Sequence, residues 1–191
     1  MIGAASISYQ TSSSSSLTAS SAHEVGVALM TLQRLAEDEN NEEDLKKYLI
    51  FIRGILDYSD RLSISHTRIL LGILCKLAST AREEDSSSMN ELFILVRKYL
   101  GMNDITHRRM GVLGCCSIMQ YYRGDTESIH NIFSFCLKSS RNFPDIRLFF
   151  YQQLIVCIQQ QSLSQELVSV SNRIVDYNIV YKGRNGFYFR F

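Results

Sequence analysis

The sequence predicts an all-α protein, and three observations carry that expectation. Apolar residues recur at helical spacing almost everywhere from about residue 22 onward, the period-two alternation of strands is scarce, and proline occurs once, at Pro144. Capping-box patterns punctuate the chain: Ser21-x-x-Glu24, Ser88-x-x-Glu91 and Ser162-x-x-Gln165 each precede an apolar periodic run. Each would place a side-chain oxygen against an orphan amide of a helix's first turn.

Taken in order, the periodicity predicts eight helices, over about 22–37, 43–59, 65–80, 88–100, 105–122, 126–139, 146–160 and 163–180. The first carries "VGVALMTLQRLA" behind the Ser21 signal. The second carries "YLIFIRGILDYSD", in which Leu45, Tyr48, Leu49, Ile52, Ile55 and Leu56 gather on one side of a helical wheel. Lys46, Ile50, Arg53 and Asp57 form the neighbouring flank, so Arg53 reads as a flank arginine whose stem covers apolar surface. The helices are short, the connections shorter, and consecutive pairs fall at a spacing of roughly 40 residues, the range of helical-repeat units. A HEAT-like α-solenoid segment fits best; a compact bundle also fits, because no strict repeat is visible. The serine-rich start, residues 1–21, is expected to be a flexible leader, since it offers too little apolar area to offset chain entropy. Residues 22–181 form the helical segment and 182–191 a tail that matches nothing.

Twenty Lys and Arg stand against nineteen Asp and Glu, leaving a formal charge of +1. That balance gives no global attraction to nucleic acid or to a membrane surface. Cys75, Cys115, Cys116, Cys136 and Cys157 lie in apolar helical contexts without C-x-x-C spacing, which predicts buried reduced thiols and an intracellular setting rather than a disulfide framework or a zinc site. No secretory signal and no membrane-length apolar run is present in the sequence.

No catalytic constellation emerges. His23, His66, His107 and His130 are scattered and make no H-E-x-x-H pattern. Cys115 and Cys116 follow two glycines, eight residues after His107, but no nucleophile signature surrounds them. Gly111 and Gly114 read as small residues that allow close helix packing rather than as a phosphate-cradling loop. No enzyme activity, metal, cofactor or small-molecule substrate is therefore expected. A binding role is the alternative: Arg97 and Lys98, with Arg108 and Arg109, lie at adjoining predicted helix ends and could meet phosphate or DNA, although cations there also complement a helix dipole.

The stretch "LIFIRGILDYSDRLSISHTRILLGILCKLAST", with "GILDY" (Gly54 to Tyr58) its strongest block, resembles the Fanconi anaemia group D2 family. "HEVGVALMTLQRLA" upstream, "VRK" (Val96 to Lys98), "GVLG" (Gly111 to Gly114) and "LFFYQQLIVCIQQQSLSQELV" from Leu148 follow in the family's order, so the resemblance covers about residues 23–181. It implies an interior fragment of a long helical-repeat scaffold acting in the nucleus in DNA interstrand crosslink repair. It further implies pairing with the Fanconi anaemia group I protein, closure of the pair around DNA, and regulation by a ubiquitin ligase complex. That complex modifies a lysine immediately before "GILDY". Here the position holds Arg53, whose guanidinium stays protonated and is no acceptor, so the resemblance does not carry the acceptor role to it. Lys46, seven residues earlier, is the candidate displaced acceptor: on one continuous helix it would point the same way at roughly 10 Å.

Overall fold

The computed structural model describes residues 13–80, 87–122 and 126–160. Among these the chain forms eight α-helices and one 3-10 helix, with no strand: α1 (Ser13–Glu37), α2 (Glu39–Lys46), α3 (Leu49–Gly54), the 3-10 helix (Ile55–Arg61), α4 (Ile64–Ser79), α5 (Ser87–Gly101), α6 (Ile105–Tyr121), α7 (Thr126–Ser139) and α8 (Pro144–Gln159). The all-α expectation holds, and α4 to α8 start and stop within two residues of the helices expected for them.

Two expectations are corrected. α1 starts at Ser13, earlier than the expected start at about residue 22, so Ser21 lies within the helix and cannot be its N-cap. Serine is only modestly poorer than alanine as a helix former, and a serine run can extend a helix already nucleated downstream. The second correction is larger. The helix expected over 43–59 is three pieces: α2 closes at Lys46, Tyr48 leaves helical geometry at φ −101 and ψ 5, and the backbone tightens again at Gly54 into the 3-10 helix. The Tyr48 amide donates to the Leu45 carbonyl at 2.9 Å, a one-residue-shorter bond that turns the chain between the pieces. The expected eighth helix, 163–180, its Ser162 signal and the tail lie outside the described residues.

The caps that are used differ from those the sequence advertises. Asp38, Ser63 and Asp104 are the N-caps of α2, α4 and α6, their side chains accepting from the amides of Asn40, His66 and His107. Ser88 lies one residue inside α5. Pro144 opens α8, where its missing N–H removes only an amide that would have been orphaned.

Asp104 yields a prediction. Its Oδ2 accepts from the His107 amide at 2.9 Å and lies 2.7 Å from His107 Nδ1, and these contacts, the amide bond first, hold the carboxyl below its ordinary value. A carboxyl depressed by folding stabilises the fold fully above its unfolded value, about 3.9, and that contribution is lost as pH falls through the lower folded value. Asp104→Asn keeps a capping oxygen without the titration. In urea melts the stability difference between the native chain and Asp104→Asn is expected to shrink between about pH 5 and pH 2. A difference independent of pH would refute the assignment.

Helix pairs stack in two layers. α4 packs on α6 and α6 on α8 in one layer, while α5 and α7 pack together in the other, with α5 bridging α4 and α6. That alternation is the arrangement of a helical-repeat segment rather than of a bundle around one axis. α6 runs through the middle and buries eleven residues from Arg108 to Met119, consistent with its weak amphipathicity. The buried apolar side chains form one cluster reaching from Leu29 on α1 to Cys157 on α8; α2 contributes none. Gly111 and Gly114 permit this stacking: a Cβ on Gly111 would stand 2.8 Å from the Leu100 backbone nitrogen, and one on Gly114 would stand 2.5 Å from Val96 Cγ2. Their expected packing role is what the structure shows.

Candidate functional site

The segment around Arg53 is built by the broken helix. Of the six residues expected on its buried side, Ile52 and Leu56 are buried, Leu45, Leu49 and Ile55 pack partly against the core, and Tyr48 is turned outward by the kink at its own backbone. The outer side of α3 presents Ile50 and Phe51, 73% and 72% exposed, flanked by exposed Tyr48 and Tyr58. These are four large side chains left exposed within one short stretch of chain, the kind of surface that partners cover. Arg53 stands at the end of α3 beside this surface and pairs with Glu91 of α5, both side chains about half exposed. Glu91 is 38 residues away and no sequence signal linked the two.

Lys46 does not continue Arg53's helix, because α2 closes at Lys46 and the chain turns at Tyr48. Its side chain is 15% exposed, with Nζ 3.0 Å from Glu42 Oε1 and 3.1 Å from Glu43 Oε1, and it donates to the Thr80 carbonyl at 2.9 Å. Burial works to lower the pKa of this amine, but the hydrogen bonds to Glu42 and Glu43 outweigh it and raise the value. A groove of about 340 Å³ does bring Lys46, Lys47 and Arg53 to the start of α5, against Ser87, Ser88 and Glu91. Each cation there already faces a carboxylate: Lys46 faces Glu42 and Glu43, Lys47 faces Asp44 at 2.6 Å, and Arg53 faces Glu91.

The four cations expected to meet phosphate are divided by the fold. Arg97 and Lys98 are exposed on α5. Arg108 is 6% exposed: its guanidinium carbon lies 3.7 Å from the centroid of the Phe143 ring, and Nη1 donates to the Ser139 carbonyl at 3.0 Å. It therefore closes the end of α7. Arg109 is half-buried with its guanidinium carbon 5.8 Å from the Phe149 centroid. Hydropathy alone could not separate these arginines from Arg97, because the aromatic residues that receive them lie 35 and 40 positions further along.

The five cysteines are buried and none is in a disulfide, as expected. Among the described residues no three His, Cys, Asp or Glu side chains come together to hold a metal, and no helix is long and apolar enough to cross a membrane. His107 serves beside the Asp104 cap, and His130 Nδ1 lies 2.9 Å from the Thr126 carbonyl of its own helix.

Stacked helix pairs with an exposed apolar and charged face around Arg53 define the class: a segment of an α-helical repeat protein. The chain belongs to the FancD2 family, whose model, described as "Fanconi anaemia protein FancD2 nuclease", matches residues 12–141. It is similar to the Fanconi anemia group D2 protein of Gallus gallus, 23% identical over 144 residues, which covers 64% of this chain and 10% of that relative. The chain thus spans about a tenth of the curated relative's length. The family match takes in α1 to α7 and ends before α8, short of the limit near residue 181 that the resemblance suggested.

Proposed function

We propose that this chain is a non-enzymatic scaffold segment of a group D2-like protein that acts in the nucleus in DNA interstrand crosslink repair. It pairs with the Fanconi anaemia group I protein through helix faces, and the full assembly closes on DNA. The observation that carries this reading is the family match over residues 12–141, which includes the whole exposed face from Tyr48 to Tyr58. Arg53 keeps the positive charge of the family's acceptor lysine beside that face and forgoes ubiquitin transfer. Lys46 does not replace it, because its amine is held by two carboxylates and a carbonyl and its raised pKa leaves little free amine to act as a nucleophile. The second reading is a HEAT-like adaptor with no DNA role, favoured by the inward turn of Arg108 and Arg109, which leaves Arg97 and Lys98 as the exposed members of the expected phosphate cluster.

The test is immunoprecipitation of the endogenous protein from crosslinker-treated cells, followed by peptide mass spectrometry. Co-purification of the group I protein, with no ubiquitin remnant on Lys46, is expected. Recovery without that partner would transfer the assignment to the adaptor, and a remnant on Lys46 would show that the acceptor had moved there.

A further inference from the structure

We propose that Cys116 and Cys157 form a peroxide-reactive dithiol site beside Arg68, with Cys157 as the attacking thiolate and Cys116 as the resolving thiol. A groove of about 290 Å³ opens between α1, α4, α6 and α8, and both sulfur-bearing residues line it together with Arg68, Lys76, Glu37 and Tyr121. Cys75, Cys115 and Cys136 are not part of its wall. The groove therefore gives a small oxidant a route to two of the five thiols, although each is 5% exposed or less.

The two thiols lie within reach of each other in this groove. Cys116 and Cys157 are hydrogen-bonded to each other, and that bond pushes the Cys116 pKa well up. The same bond is the largest influence on Cys157; with the positive charge of Arg68 it outweighs burial and lowers that thiol's pKa. Arg68 is held in place by a 2.6 Å hydrogen bond from Nη2 to Gln153 Oε1, which ties α4 to α8. Lys76, also on α4, adds a second cation to the groove, while Glu37 on α1 is its opposing charge and Tyr121 its phenol. Burial raises the remaining thiols: it is the leading cause for Cys75 and Cys136, and for Cys115 it adds to the hydrogen bond with Cys136. A lowered pKa and a groove that admits a small oxidant thus coincide at Cys157, and both favour reaction at a cysteine.

The chemistry balances with a peroxide as oxidant. The Cys157 thiolate attacks one oxygen of hydrogen peroxide, the O–O bond breaks, and the second oxygen leaves as hydroxide, giving a sulfenic acid. The Cys116 sulfur then attacks that sulfenic sulfur; its proton and the hydroxyl depart as water, and a disulfide joins α6 to α8. Two thiols are oxidised and one peroxide is reduced to two waters, and a dithiol reductant returns the pair.

The test uses the whole reduced chain under native conditions with equimolar hydrogen peroxide, read by isotope-coded thiol labelling and peptide mass spectrometry. All five cysteines are compared within one molecule, so no variant need fold for the result to count. Cys157 is expected to react first, with a Cys116–Cys157 crosslink as the product. Cys116→Ser should instead accumulate a sulfenic acid at Cys157 that dimedone traps, and Arg68→Gln should slow Cys157 on the order of ten-fold at neutral pH while leaving Cys136 unchanged. The proposal is overturned if Cys157 reacts no faster than Cys136, if its rate is the same in the urea-unfolded chain, or if the crosslink joins another pair.

Discussion

Replacing Gly111 with valine is expected to destabilise the chain by about 3 kcal/mol, with alanine costing roughly 1–2. The reason is the backbone: the new Cβ would meet the Leu100 nitrogen at 2.8 Å, and a main-chain atom of a packed helix cannot swing aside as a side-chain tip can. Alanine is offset in part because it is a better helix former than glycine by about 1 kcal/mol, which is why the alanine effect is smaller and valine the sharper probe. Gly101→Ala is the control, since nothing lies within 4 Å of its added Cβ. Urea melts followed by helical circular dichroism would decide the matter. A Gly111→Val loss no larger than that of Gly101→Ala would mean that α5 and α6 do not pack as closely as the structure shows.

Arg108→Ala is expected to cost about 3 kcal/mol, through loss of a charged hydrogen bond and of a desolvated cation–π contact. The arginine spans three elements: it leaves α6, donates to the last residue of α7 and lies over Phe143 immediately before α8. Its Nε has no hydrogen-bond partner among the described residues, which holds the figure below the sum of its contacts. Arg108→Lys should recover less than half, because an ammonium cannot lie flat on a ring and donate sideways at once. The same melts measure both variants. Full stability in Arg108→Lys, or a DNA affinity that falls with Arg108→Ala while stability does not, would return this residue to the phosphate-contact role that its place in the sequence suggested.

Arg108 and Arg97 illustrate where sequence reading stops. Both are arginines near helix ends, and their local patterns differ little. One is exposed and the other lies under Phe143 because α6 is the helix that α4, α5, α7 and α8 all pack upon. Lys46 and Arg53 show the same limit from the other side: a continuous 3.6-residue pattern runs through both, yet the backbone turns at Tyr48, and α2 and α3 each pack on α4 as separate pieces. Periodicity records which side chains want to be inside, and a broken helix can satisfy it as well as a straight one. Gly111 and Gly114 were legible as packing residues because a glycine pair inside an apolar helix has few other uses.

By itself the sequence determined the helical class, the limits of α4 to α8 within two residues, the burial of all five cysteines and the family. Each of these rests on local spacing, on hydrophobicity or on ordered blocks such as "GILDY", and local signals survive whatever the tertiary arrangement is. Tertiary structure alone decided that Arg53 meets Glu91, that Lys46 reaches the Thr80 carbonyl, that Arg108 closes α7, and that Cys116 and Cys157 share a groove with Arg68. Most of these pairs join residues tens of positions apart, and only the stacking of helices in two layers brings such side chains within bonding distance.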